Sequence, residues 1–315
     1  MSRLRYITNK IKARLCIDFW TEHEIHCGRR NADKVFYVIR RNDRSCGLFS
    51  YYIYVLGHIK YALSRNWIPI IDMQHYMNPY LDNFTAGKFN AWNYYFQQPY
   101  SGAYDLKDVY SSRHVILSSS RILLDMPNQS NEYFSDQKTQ EYWRDLAHIH
   151  IPCNNAIKDI VNSEYEKLGL RGETTLGVKL RGTDYATLKP KGHAIQPNID
   201  ESLNMIDFLL AKYSCSRIYI ATEDLEIYDA VVEKYGVLVV HSQAKLYPHF
   251  VDTFLGNITS NRKNDAYLRG IEYIVPMYIL ARCNYFFGGR NSGSVAIPII
   301  GEEFVESVYW DSGDY

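Results

Sequence analysis

Three short stretches in the second half of the chain combine residue types that can hold a phosphorylated ligand. The first is Lys179-Leu180-Arg181-Gly182-Thr183-Asp184-Tyr185. Arg181 directly follows an apolar run and precedes Gly182, which sets a planar five-donor fork beside a permissive backbone. Against a diphosphate such a contact is worth ~1.5–3 kcal/mol, and more as a leaving group gains charge. A purely structural ion pair between Arg181 and Asp184 or Asp224 would explain the same residues. The second stretch is Ala221-Thr222-Glu223-Asp224. Thr222 is placed to cap the next helix, whose start favours carboxylates; Glu223 or Asp224 could also accept hydrogen bonds from a purine base or ribose. In the third, Gly288-Gly289-Arg290-Asn291-Ser292-Gly293-Ser294 precedes an apolar helix. Small and hydroxylated residues there let backbone N–H groups approach a phosphate. No Asp-x-Asp pair, His-Glu-x-x-His or Gly-x-Ser-x-Gly occurs, which disfavours a metalloenzyme or a covalent hydrolase. No metal ligand set is expected.

The elements needed to position these stretches can be read from periodicity. Residues 34–40 form a β-branched and aromatic run, 48–65 carry apolar residues at helical spacing, and 68–73 are strand-like again; strand, Gly-containing turn, helix, strand opens a parallel α/β layer. Residues 114–118 suit another strand. Between them, Tyr76–Asp105 has little periodicity, yet its Asn90–Phe96 run is too aromatic for disorder. Residues 131–165 read as helices that could bridge two lobes. A second series follows: strands at 175–180, 217–221, 237–241 and 285–287, and helices at 199–213, 225–235, 265–282 and 293–300. All three stretches then fall at carboxyl ends of parallel strands, where ligands of α/β sheets bind. The expected organisation is an N-terminal segment over 1–30, a lobe over 31–165 and a second lobe over 166–315.

Composition bounds the rest. The 315 residues are 46% hydrophobic and 22% charged, an ordinary globular balance with room for two cores. Lys plus Arg equals Asp plus Glu at 35 each, so overall charge gives no reason to expect a nucleic-acid partner. Six scattered cysteines without a Cys-x-x-Cys pair fit a reducing cytosol. No apolar run reaches ~18–20 residues and no cleavable leader is evident, so a cytoplasmic location is expected. Residues 3–20 alternate basic and apolar side chains at helical spacing. That suits peripheral contact with the inner face of a membrane, or a terminal helix lying over the protein's own core.

The three stretches, in this order and approximate spacing, resemble the GDP-fucose-dependent fucosyltransferases, which include core α1,6-, nodulation-type, α1,2- and protein O-fucosyltransferases. Lys179–Asp184 is similar to their strand ending His-x-Arg-Arg/Gly-x-Asp, Ala221–Asp224 to their Ala-Thr-Asp-Asp, and Asn291–Ser294 to their Ser-rich loop. Ser45–Ser50 with the following helix and strand, and Lys189–Pro197, echo further family loops. Lys179 stands where many members carry His, Gly182 where some carry a second Arg, and Pro276 about where relatives place Asp, with Glu272 one turn away. The resemblance implies a GT-B fold: two Rossmann-like lobes with parallel sheets facing across a cleft, acceptor side first and donor side second. It implies metal-independent, inverting transfer of fucose from GDP-fucose, with no cofactor, to an oligosaccharide or glycolipid hydroxyl in surface polysaccharide synthesis. Arg181 would stabilise the departing diphosphate. Gly182, Thr183, Tyr185, Thr222, Glu223, Asp224, Asn291, Ser292, Gly293 and Ser294 would contact the donor. No residue matches the family's proposed acceptor base, and His193 and Asp184 are candidates for that role. Another nucleotide sugar, or a non-catalytic binding protein of this fold, stay open as alternatives.

Overall fold

The computed structural model describes residues 20–82, 87–119 and 124–315. Of the basic segment 3–20, all but Trp20 lies outside the described residues.

The first sheet holds β1 (His23–Ile25), β2 (Arg30–Ile39), β3 (Ile68–Ile71) and β4 (Ser112–Leu117) in the order β1-β4-β2-β3. The last three are parallel, and β1 runs antiparallel to β4. Helix α1 (Leu48–Leu63) makes the crossover from β2 to β3. It buries residues on most of its circumference, including Leu48, Tyr52, Leu56 and His58, as expected of a helix covered on several sides. A short helix α2 (Leu106–Val109) leads into β4. Three helices then follow: α3 (Asn131–Ser135), α4 (Gln137–His150) and α5 (Asn155–Lys167).

The second sheet is wholly parallel, ordered β7-β6-β5-β8-β9, with β5 (Thr175–Lys179), β6 (Arg217–Ala221), β7 (Val239–Val240), β8 (Tyr285–Gly289) and β9 (Glu306–Trp310). Its helices are α6 (Thr183–Leu188), α7 (Ile199–Tyr213), α8 (Leu225–Tyr235), α9 (Asp265–Leu280) and α10 (Ser292–Ile300). Central β5 is buried at every residue, which its unbroken Thr-Leu-Gly-Val run anticipates for a strand covered on both faces. The chain winds outward from β5 through β6 to β7, then returns to β8 on the other side. The crevice at the carboxyl end of β5 is therefore a topological switch point.

The lobes are joined through packed side chains rather than a thin linker. Helix α4 packs on α10 and α1, and α5 packs on α9, so helices 131–167 do bridge the lobes. One apolar cluster includes Tyr37, Leu56 and Trp92 from the first lobe with Ile274, Phe286 and Ile297 from the second. The aromatic run expected to be ordered is the seam itself. Tyr95 stacks on Tyr267 of α9, with ring centroids 6.0 Å apart, and its hydroxyl donates to the Tyr267 carbonyl at 2.9 Å. Gly270 is required on α9 because a Cβ there would overlap the Tyr95 ring. Arg269 donates across the seam to the Pro79 carbonyl at 2.8 Å.

Three readings need correction. Strand β1 pairs within the first sheet although it falls inside the 1–30 segment, so the lobe begins earlier than residue 31. The strand expected over 237–241 shrinks to Val239–Val240, because Gly236–Leu238 forms a 3-10 turn. Strand β9 was not anticipated, although Glu306–Trp310 carries β-branched and aromatic residues. Among the described residues no helix is long and apolar enough to cross a membrane. Deleting residues 1–19 spares β1 and is expected to lower the membrane-associated fraction in cell fractionation. Unchanged partitioning would rule out a membrane contact through 3–20.

Candidate functional site

Between the lobes, at the carboxyl ends of β5 and β6, lies a cavity of about 510 Å³. The first lobe contributes Asp43 to Gly47 in part, Pro79 and Tyr80; the second contributes the strand ends, part of the 242–264 loop and one side of α9.

Arg181 lines this cavity and is about one-quarter exposed. Its Nη2 donates to both oxygens of Asp184 at 3.1 and 3.0 Å. Its Nε lies 3.8 Å from Glu223 Oε1 and, though buried, has no hydrogen-bond partner. The guanidinium also sits 4.1 Å over the Tyr185 ring, a cation–π arrangement. Burial opposes its charge, but the Glu223 and Asp184 carboxylates outweigh that and hold its pKa above the ordinary range. Both readings of Arg181 thus apply together: it is ion-paired, with Asp184 rather than Asp224, and it faces an opening.

Asp224 is what holds Arg181 there. Its side chain is fully buried and does not line the cavity. Oδ1 caps α8 by accepting from Ile227 N at 3.1 Å, while Oδ2 accepts from Thr183 N at 2.9 Å and pairs with His249 Nδ1 at 2.6 Å. The cap expected of Thr222 therefore falls to Asp224, and Thr222 Oγ1 instead accepts from Asp224 N at 3.1 Å. Thr183 has φ +47°, an unfavourable backbone for a β-branched residue, of the kind kept where surroundings over-determine it. Its hydroxyl reaches Asp184 and Glu223 at 3.3 and 3.4 Å. Gly182 lies against Asp224 so closely that any Cβ would overlap the carboxylate.

Glu223 lines the cavity, and burial raises its pKa against the lowering pull of Arg181 and Lys179. Tyr185 and His193 also line it and bond to each other, hydroxyl to Nδ1, at 2.8 Å. Asp184 is nearly fully buried, and its oxygens serve Arg181, the Thr183 hydroxyl and the Leu255 N–H at 3.3 Å. At the third strand end the expected residues divide. Ser292 and Gly293 line the cavity. Asn291 caps α10 by accepting from Ser294 N at 3.1 Å, and buried Ser294 donates to the Gly289 carbonyl at 2.6 Å. Arg290 turns away to Asp311 and Asp314 at 2.8 and 3.0 Å. Thr222 completes the lining; Glu272, also there, is paired with Arg262, its Oε2 accepting from Nη2 at 2.8 Å.

Lys179 and Tyr273 were not singled out for the site. Both line the cavity. An inward lysine at a strand end two residues before the arginine was the available sequence signal. Tyr273 was hidden because one tyrosine among 28 carries little weight.

A second cavity of about 910 Å³ lies beside edge strand β3, under residues 87–111. His75 lines it, with Nδ1 2.8 Å from Oδ2 of fully buried Asp72. Exposed Phe89 and the amides of Asn93 and Gln98 also line it. It is lined largely by the aperiodic stretch Tyr76–Asp105, of which residues 83–86 lie outside the described residues. Among the described residues, Glu24 on β1, His26 just after it and His114 on β4 form a cluster whose atoms could hold a metal ion, outside the interlobe cavity.

Two α/β lobes whose parallel sheets meet across a ligand-sized cleft define the GT-B fold. No protein-family model and no curated protein matches the sequence. Among solved structures, the chain is similar to NodZ, an α-1,6-fucosyltransferase, in crystals soaked with GDP-fucose: the TM-score is 0.50 at 14% identity, covering 87% of this chain and 94% of that one. A selenomethionine structure of fucosyltransferase NodZ from Bradyrhizobium gives 0.51, again at 14% identity and the same coverage. At such identity the likeness shows the fold, and the fold is the one the three stretches imply.

Replacing Gly182 with Ala is expected to destabilise the protein by about 1–3 kcal/mol, the usual range for forcing atoms into a packed site. Denaturant melts of the two proteins check this.

Proposed function

We propose that the chain is a glycosyltransferase that moves fucose from GDP-fucose to a glycan hydroxyl with inversion and without a metal. The observation that carries this is Arg181, held at the switch point of the second sheet by Asp184 and Glu223 and lining a cavity closed on its other side by the first lobe. A guanidinium fixed by carboxylates before the ligand arrives needs little reorganisation when charge develops on a departing diphosphate. The pairing with Asp184 resists collapse of Arg181 into the cavity. The fucosyltransferase activity of NodZ and its GDP-fucose soak support fucose and guanosine over other choices.

His193 is the better acceptor base of the two candidates. It lines the cavity on a Tyr185 hydroxyl, whereas Asp184 is committed to Arg181. An oligosaccharide or glycolipid acceptor, as in surface polysaccharide synthesis, would approach from the first lobe, where Phe89 and the amides of Asn93 and Gln98 suit sugar faces and hydroxyls. Peripheral membrane contact would suit a lipid-linked acceptor made in the cytoplasm.

In a thermal-shift panel, GDP is expected to raise the melting temperature of the wild type, UDP and CMP are not, and Arg181→Ala should lose the response. Stabilisation by UDP would point to a different nucleotide sugar. No response to any nucleotide would point to a protein that kept the fold without the chemistry. Transfer activity is expected to survive EDTA, measured as release of GDP; its loss would overturn metal independence. The Glu24–His26–His114 cluster stands apart from the cavity, so a metal there would not bear on transfer.

A further inference from the structure

Building on the nucleotide-sugar assignment above, we propose that Lys179 is a second cation of the donor site, one that takes up a proton when a nucleoside diphosphate enters beside Arg181.

Lys179 ends β5, two residues before Arg181, and its side chain is 6% exposed while lining the interlobe cavity. An ammonium has three N–H donors, and here Nζ makes one hydrogen bond, to Asn291 Oδ1 at 2.8 Å. It has no carboxylate within ion-pair distance among the described residues. Asn291 cannot turn away, because the same oxygen caps α10 and its amide donates to the Gly289 carbonyl at 3.0 Å. Gly293, at the start of α10, leaves the lysine its space: a Cβ there would come within 2.7 Å of Lys179 Cε and 2.8 Å of the Tyr273 hydroxyl. Such an ammonium is buried, under-bonded and held against a cavity wall. It has the shape of a site waiting for an anion.

The groups facing it decide the sign. Burial dominates and lowers the Lys179 pKa to about 8, with Glu223 on β6 pulling it up and Arg181 pushing it down. Asp184 on α6 is spent on Arg181. Tyr273 on α9 stays neutral, its pKa raised by burial. Cys46, from the first lobe, is likewise held neutral by burial. The free protein therefore loses the Lys179 proton as pH rises through about 8. A diphosphate beside it favours the charged form and raises that pKa. Binding then takes up protons above this range, and affinity is highest below it.

The test is calorimetric titration of GDP, and of UDP in parallel, into wild type, Lys179→Arg and Lys179→Met at pH 7, 8 and 9. Each titration is run in two buffers of different ionisation enthalpy. The wild type is expected to bind roughly tenfold more weakly at pH 9 than at pH 7, with proton uptake growing towards pH 9. Lys179→Arg keeps its charge and should show neither effect, which also subtracts protons belonging to the nucleotide. Lys179→Met should bind at least tenfold more weakly at pH 7 while its melting curve shows that it folds. Wild type and Lys179→Arg with the same pH profile and proton count would overturn the role of Lys179 and leave the donor site standing. Failure of both nucleotides to bind wild type at any pH would overturn the donor-site assignment, and Lys179 with it.

Discussion

A single buried carboxylate organises the second lobe's end of the cleft. Asp224 receives the Thr183 N–H, the first turn of α8 and His249, so one side chain fixes two strand ends and part of the 242–264 loop relative to each other. The left-handed Thr183 and the close approach at Gly182 follow from meeting this carboxylate. Arg181 leaves the backbone at this strained corner, so its aim is set by the corner and not by the long, flexible side chain. Glu223 and Asp184 then finish the positioning by charge.

What could be read without coordinates divides along physical lines. The alternation of strands and helices after residue 174 was legible because buried parallel strands leave unbroken apolar runs and their crossovers leave helical periodicity. The three strand ends were legible for the same reason, since a polar cluster after such a run has few places to go. Which member of each cluster faces the cleft was not legible. Thr222, Glu223 and Asp224 are adjacent and chemically alike, and only the turn of the backbone puts Asp224 into the interior while Glu223 meets Arg181. Asn291 and Ser294 were likewise drawn inward by the start of α10. Edge elements escaped notice because β1 is too short to show a period.

Lys179 shows how the burial of a charge stays hidden in a sequence. In a strand of Thr, Leu, Gly and Val, a lysine looks like the point where the chain meets solvent. Here it is covered, because α10 starts from the neighbouring strand and Asn291 reaches across. Burying an ammonium without a carboxylate lowers stability, and such a group persists where the empty site is not the state that counts. The second lobe carries Arg181 and Lys179 at one corner, with Glu223 acting on both and Asp184 paired to Arg181.

The aromatic seam between the lobes bears on how a ligand gets in. Tyr95 against Tyr267 and Gly270, with a cluster shared by both lobes, makes a clamshell rotation expose a large apolar area at once. The 242–264 segment is tied to the same body, through His249 to Asp224, the Leu255 N–H to Asp184 and Arg269 to the Gly256 carbonyl. The cleft is therefore a fixed jaw, whose walls stand in place before a ligand arrives.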